Sequence, residues 1–134
     1  MSIYVDSSAL LKLYFDESDS ARAEGVLASD RDWITARHTA IEIRRNLARE
    51  LEGSELAAAR RQFDRDWSNL SVVELTAEVC DVAADLAEFT GARSLDALHL
   101  GAAKVVGGGA LPIVTFDLRQ AQAARSLGWV VLPG

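Results

Sequence analysis

The chain has one cysteine in 134 residues, so it cannot form an internal disulfide, and a cysteine-ligated zinc site is excluded. Cys80 falls in the helical run Val79 to Leu86, where a small buried filler is the expected role. No apolar stretch approaches the length that crosses a bilayer, and Met1-Ser2-Ile3-Tyr4-Val5-Asp6 carries no basic leader, so a cytoplasmic protein without membrane contact is expected. Positive charge is scarce too. Fourteen Lys and Arg stand against twenty Asp and Glu, a formal charge of −6, which argues against a general nucleic-acid coating protein, because phosphate binding relies on many basic contacts. A small enzyme can still hold RNA through a bound cation and a few local arginines. There is no internal repeat, linker or low-complexity tail, and a composition of 25% charged and 49% apolar residues indicates neither disorder nor a fibre. The length suits a single domain over residues 1–134.

Short β-branched runs alternate with longer helical stretches along the chain. Strands are expected at residues 3–6, 33–36, 71–75, 112–116 and 129–132, and helices near 8–16, 19–29, 38–52, 54–69, 76–89, 94–106 and 117–127. That order predicts an α/β fold, a parallel sheet with helices on both faces. Ser7 or Ser8 is placed to cap the first helix, and Ser54 with Glu55 to start the fourth. Gly91 and Gly128 fall where helices should end, and Pro112 opens a strand where a missing N–H is tolerated. The Gly107-Gly108-Gly109 run reads as a turn, since no Lys-Ser/Thr follows it as a phosphate-cradling loop requires.

Four acids stand out. Asp6 and Asp117 close the apolar runs Ile3-Tyr4-Val5-Asp6 and Ile113-Val114-Thr115-Phe116-Asp117, each followed directly by a helical pattern. Both therefore belong at C-terminal strand ends, where open α/β sheets bind ligands, although a plain helix N-cap is the competing role for each. Thr115 lies on the same side of its strand as Asp117, and Ser7 or Ser8 is placed to hydrogen bond a metal-bound water. Asp96 sits in an apolar helix, Ser94-Leu95-Asp96-Ala97-Leu98-His99-Leu100-Gly101-Ala102-Ala103, where a lone acid needs a partner or the positive end of the helix dipole. His99 shares that face and reads as a satisfied core imidazole. Glu42 is balanced between two roles, because the helical wheel groups it with Asn46 and Arg49 opposite Ala40, Ile43, Leu47 and Leu51. Arg45 and Arg49 flank that stripe and suit phosphate binding, or ordinary pairing with Glu42. Clustered carboxylates resist ionisation unless a cation neutralises them, and an oxygen-only set suits Mg²⁺ or Mn²⁺. The residues thus point to a divalent-metal hydrolase.

Taken in order, four segments resemble the PIN-domain ribonucleases, in particular the VapC-type toxins of toxin–antitoxin pairs. They are Ile3 to Leu10, the helix Ala40-Ile41-Glu42-Ile43-Arg44-Arg45-Asn46-Leu47-Ala48-Arg49, the segment Ser94 to Leu100, and Val114-Thr115-Phe116-Asp117; the tail Leu118 to Gly128 is similar to the family's final helix. The resemblance runs nearly end to end. It implies a three-layer α/β/α fold with a five-stranded parallel sheet of order 3-2-1-4-5, and a Mg²⁺- or Mn²⁺-dependent endoribonuclease. It assigns Asp6, Glu42, Asp96 and Asp117 to the acidic metal site, with Ser7 and Thr115 as polar helpers. It also implies a cognate antitoxin and a homodimer, for which Leu11, Tyr14, Phe15, Phe63 or Trp67 are candidate apolar anchors unless they serve the core. Arg45, Arg49, Arg93 and Arg119 are the candidate RNA contacts. A phosphoacceptor receiver domain fits poorly, since Asp6 has no paired acid and no lysine follows the last strand. The chain lacks the long insertions of DNA flap nucleases, and a non-catalytic PIN-like scaffold is the remaining alternative.

Overall fold

The computed structural model describes residues 2–134. Its elements run β1 (Ser2–Val5), α1 (Ser7–Leu11), α2 (Ser20–Ala28), β2 (Asp32–Ala36), α3 (Thr39–Glu50), α4 (Gly53–Ser68), β3 (Ser71–Val73), α5 (Ala77–Thr90), α6 (Ser94–Gly107), β4 (Ile113–Val114), α7 (Leu118–Ser126) and β5 (Val131–Leu132). The strands form one parallel sheet of order β3-β2-β1-β4-β5. β1 is the hub, with Tyr4 beside Ile34 of β2 and beside Ile113 of β4.

The two-residue alternation of the central strands builds both cores. Tyr4 and Ile113 point to one face, where they meet Val79 of α5, Leu100 and Ala103 of α6, and Ala124 of α7. Ile3, Val5 and Val114 point to the other, against Leu10, Leu27, Ile43, Leu47 and Phe63 of α1 to α4. Each central strand is thus buried on both sides, which is why these runs are continuously apolar. Three layers result, α/β/α. Gly101 permits the close packing of α5 on α6, because a Cβ there would lie 2.8 Å from the Ala83 Cβ and 2.9 Å from the Val79 carbonyl oxygen. α6 ends at Gly108, whose φ of 62° is one that side-chain-bearing residues rarely adopt.

Several local expectations need correction. Cys80 is exposed, because Val79 and Ala83 form the buried stripe of α5 and Cys80 lies one position out of phase with it. The first helix closes at Leu11 instead of 16, continuing only as tighter turns from Lys12 N to Ala9 O and Leu13 N to Leu10 O. Its cap is Asp6, not a serine: the Asp6 carboxylate accepts from the Ala9 N–H, and β1 ends one residue before it. α4 starts at Gly53 after Glu52, with no side-chain cap from Ser54.

Candidate functional site

β1 and β4 are neighbours in the sheet although the chain visits β2 and β3 between them, so their C-terminal ends flank the point where the strand order reverses, the usual place for a ligand crevice. Asp6 follows β1, Asp117 follows β4 and caps α7, and Asp96 lies in the first turn of α6. Glu42 comes from the first turn of α3, just after β2.

Asp6 is 3% exposed, and a buried carboxylate needs donors on both oxygens. Ser8 Oγ at 2.7 Å and the Ala9 N–H at 3.0 Å donate to Oδ1, and Thr115 Oγ1 donates to Oδ2 at 2.6 Å. Even so, burial holds the Asp6 carboxyl above its ordinary range, against the pull of His99 and these donors. Thr115 also accepts the Asp117 N–H at 3.1 Å, so one hydroxyl ties the two strand-end acids together. Asp117 Oδ1 accepts the N–H groups of Arg119 and Gln120 at 2.9 and 3.1 Å. Asp6 and Asp117 therefore do serve as N-caps, and capping fixes their position above the sheet.

Asp96 is half-buried. Burial and then the charge of Asp117 raise its carboxyl above the usual value, and Asp6 adds to this, while His99 and Arg93 pull it down. Asp96 thus feels the charges of two carboxylates from distant parts of the chain. Gln120, fully buried, donates to the Asp96 backbone carbonyl at 3.0 Å and so braces α7 against the start of α6.

Glu42 behaves differently. It is half-buried, turned inward from the polar stripe the helical wheel placed it on. Burial alone would raise its carboxyl, but the hydrogen bond from His99 and the charges of His99 and His38 outweigh burial, with help from Ser7, and the group is lowered. His99 Nε2 lies 2.9 Å from Glu42 Oε1 and Nδ1 lies 2.7 Å from the Tyr4 hydroxyl. A carboxylate only accepts, so Nε2 donates to Glu42, while Nδ1 is hydrogen bonded with the Tyr4 hydroxyl. Both nitrogens are satisfied, as a core imidazole requires.

His38 carries a role that the sequence pattern did not reveal. It is 4% exposed, its ring lies 4.1 Å from that of His99 between centroids, and its Nε2 approaches the Leu95 carbonyl at 3.1 Å and Glu42 Oε1 at 3.6 Å. Burial and the neighbouring His99 push it down to about 4, against the opposing pull of Glu42 and the Leu95 carbonyl. The i,i+4 spacing of His38 and Glu42 on one helix was the available signal.

The arginines divide into two groups. Arg93 and Arg119 line, with Asp96, Thr90, Gln122 and Ser126, a cavity of about 320 Å³ that opens beside the acids. Arg45 is exposed, and Arg49 is engaged by Asn46 and Glu50 at 2.8 and 3.1 Å. Neither pairs with Glu42, whose close partners are the two histidine rings.

A PIN domain model matches residues 3–126 of the chain. The chain is 34% identical over 136 residues to Ribonuclease VapC45 of Mycobacterium tuberculosis, covering 98% of this chain and 94% of that protein. Among solved structures it resembles the sarcin-ricin loop cleaving toxin VapC20 of Mycobacterium tuberculosis, with a TM-score of 0.70 at 20% identity, covering 96% of each chain. It also resembles a chain of a toxin–antitoxin complex from Klebsiella pneumoniae, with a TM-score of 0.70 at 13% identity over 86% of each chain.

Proposed function

The chain belongs to the PIN-domain family, within its VapC ribonuclease branch, and we propose that it is a Mg²⁺- or Mn²⁺-dependent endoribonuclease, the toxin of a toxin–antitoxin pair. The observation that carries this reading is that Asp6, Asp96 and Asp117, from three separate segments, gather near the C-terminal ends of the central strands β1 and β4, where the strand order reverses. Burial and the charges of Asp117 and Asp6 hold Asp96 toward its protonated form, and a hard divalent cation would relieve this. The donor set fits such an ion: all oxygen, with Asp117 spending only one carboxylate oxygen on its two cap N–H groups. Asp6, Asp96, Asp117 and Glu42 are the residues we assign to hold it. A cation held by these residues would supply Lewis-acid polarisation of a phosphoryl oxygen and a more acidic water for in-line attack on the phosphodiester.

The protein's own residues orient and exclude. Thr115 and Ser8 fix the rotamer of Asp6, and Thr115 couples it to Asp117. His99 aims Glu42, and Gln120 braces Asp96 against α7. Ser7 contributes a hydroxyl to Glu42. Arg93 and Arg119 supply phosphate contacts in the cavity next to Asp96, with Arg45 and Arg49 as outer contacts on α3. These few cations substitute locally for the basic surface that a chain of net charge −6 lacks. Exposed Ile41, Leu95 and Leu118, on the site's own helices, offer apolar surface for the antitoxin or a second copy. No helix among the described residues is long and apolar enough to cross a membrane, and the reading assigns the protein, as one PIN-like domain, to the cytoplasm.

The test is sequencing of new RNA 5′ ends after brief induction of the parent and of Asp96→Asn in cells. New ends at defined positions, accompanied by growth arrest, are expected for the parent alone. The same ends from a folded Asp96→Asn protein at equal level would overturn the assignment.

A further inference from the structure

From the donor geometry we infer that His38, Glu42 and His99 form a second metal site, selective for a borderline transition ion such as Zn²⁺ or Co²⁺ and distinct from the aspartate set. The inference stands without the nuclease reading. His38 and Glu42 come from the start of α3 and the residue before it, and His99 from the middle of α6, so two packed helices hold the donors. One ligand atom from each residue lies within 4.8 Å of the other two. Two metal–ligand bonds of about 2 Å meeting tetrahedrally set their donors about 3.3 Å apart. The distances from Glu42 Oε1 to His99 Nε2 and His38 Nε2, 2.9 and 3.6 Å, bracket that value, so small side-chain shifts suffice.

The chemistry of the set agrees with the distances. Two imidazoles and a carboxylate are a zinc donor set, whereas Mg²⁺ prefers oxygen alone. An outer partner is already present: the Tyr4 hydroxyl, 2.7 Å from His99 Nδ1, can accept the ring proton once Nε2 turns to a metal. His38 is hydrogen bonded at Nε2 to the Leu95 carbonyl, and its buried Nδ1 has no partner among the described residues. That ring is therefore bound less firmly than His99. Metal binding at Nε2 moves the ring proton to Nδ1 and exchanges the Leu95 bond for a coordinate bond, and the freed carbonyl, 3.1 Å from the same nitrogen, is a candidate oxygen donor. Because Glu42 is half-buried, a remaining position can face solvent.

An ion held here fixes Glu42 between two imidazoles and withdraws it from the aspartates. The measurement is a titration of chelator-treated protein with Co²⁺, followed by the visible absorption of the ion, with Zn²⁺ as competitor. One equivalent is expected to give bands of a low-coordinate N/O site, displaced by Zn²⁺. His38→Gln should weaken binding by at least about tenfold, the lower end of what even outer-shell partners cost a metal site, while Asp96→Asn should leave it intact. X-ray absorption on the cobalt-loaded parent requires no variant and should count two imidazole ligands. Fewer than two imidazoles, no Co²⁺ bands, equal affinity in folded His38→Gln, or loss of the signal in Asp96→Asn would each overturn the second site. Failure of the nuclease reading would instead appear as absent RNA cleavage with these spectra unchanged.

Discussion

The two sides of one crevice treat the same chemical group in opposite ways. On the aspartate side, burial pushes up Asp6, and burial together with the charges of Asp117 and Asp6 pushes up Asp96. On the histidine side, Glu42 is pulled down, because His99 and His38 answer its charge despite burial. The difference lies in the partners each carboxylate has. Glu42 has its charge answered by the two histidines, while the aspartates need something from outside. A site that must bind a cation keeps part of its acid set under-compensated, and the fold supports that with Thr115, Ser8 and the helix caps.

The histidine side should dominate acid stability. His38 is depressed from its usual 6.5 to about 4, so the folded protein binds its proton less readily than the unfolded chain. The stability this confers is present above pH 6.5 and is lost as pH falls toward 4, by on the order of 3 kcal/mol. Denaturant melts of chelated protein across that window should show the fall, and folded His38→Gln should show a clearly flatter slope. Equal slopes would mean that the ring is not held neutral by its surroundings.

The aspartate side should run the other way. Because the folded Asp96 carboxyl is raised, its ionisation weakens the fold as pH rises past the unfolded value. Asp96→Asn should raise the melting temperature of the cation-free protein at neutral pH and reduce the further rise produced by millimolar Mg²⁺ or Mn²⁺. A variant that melts lower, yet gains as much from Mg²⁺ as the parent, would separate Asp96 from the ion.

The smallest effect concerns the arginines. Replacing Arg93 and Arg119 with Gln should flatten the salt dependence of RNA affinity by about one unit of log–log slope for each phosphate that is no longer neutralised. Arg45→Gln with Arg49→Gln should change it less, since Arg49 already serves Asn46 and Glu50. The reverse ranking, measured by titration in Ca²⁺ if that ion proves non-productive, would move the RNA path onto α3.

The sheet was legible in the sequence because its central strands are buried on both faces and their apolar runs have no other use. Asp6, Asp117 and Asp96 were legible as acids at element boundaries, where an uncompensated charge needs a reason. Their capping was harder to read, since Ser7 and Ser8 offered the same service one residue later and only the backbone geometry selects Asp6. The helical wheel left Glu42 balanced between solvent and site, because it cannot see that His99, fifty-seven residues on, reaches across to it. His38 and Gln120 were missed for the same reason: their partners, Leu95 and Asp96, are contributed by another helix. Cys80 shows the converse error, a hydrophobic average hiding a one-position phase shift.

The central claim, that the under-compensated aspartates form a cation-dependent cutting site, is tested most directly by incubating purified, chelator-treated protein with RNA and restoring Mg²⁺ or Mn²⁺. Cleavage that appears only with the ion, and that falls by more than about a hundredfold in folded Asp96→Asn, beyond the cost of losing an outer-shell partner, is the predicted result. Cleavage that persists in chelator, or that survives Asp96→Asn at the parent rate, would contradict it.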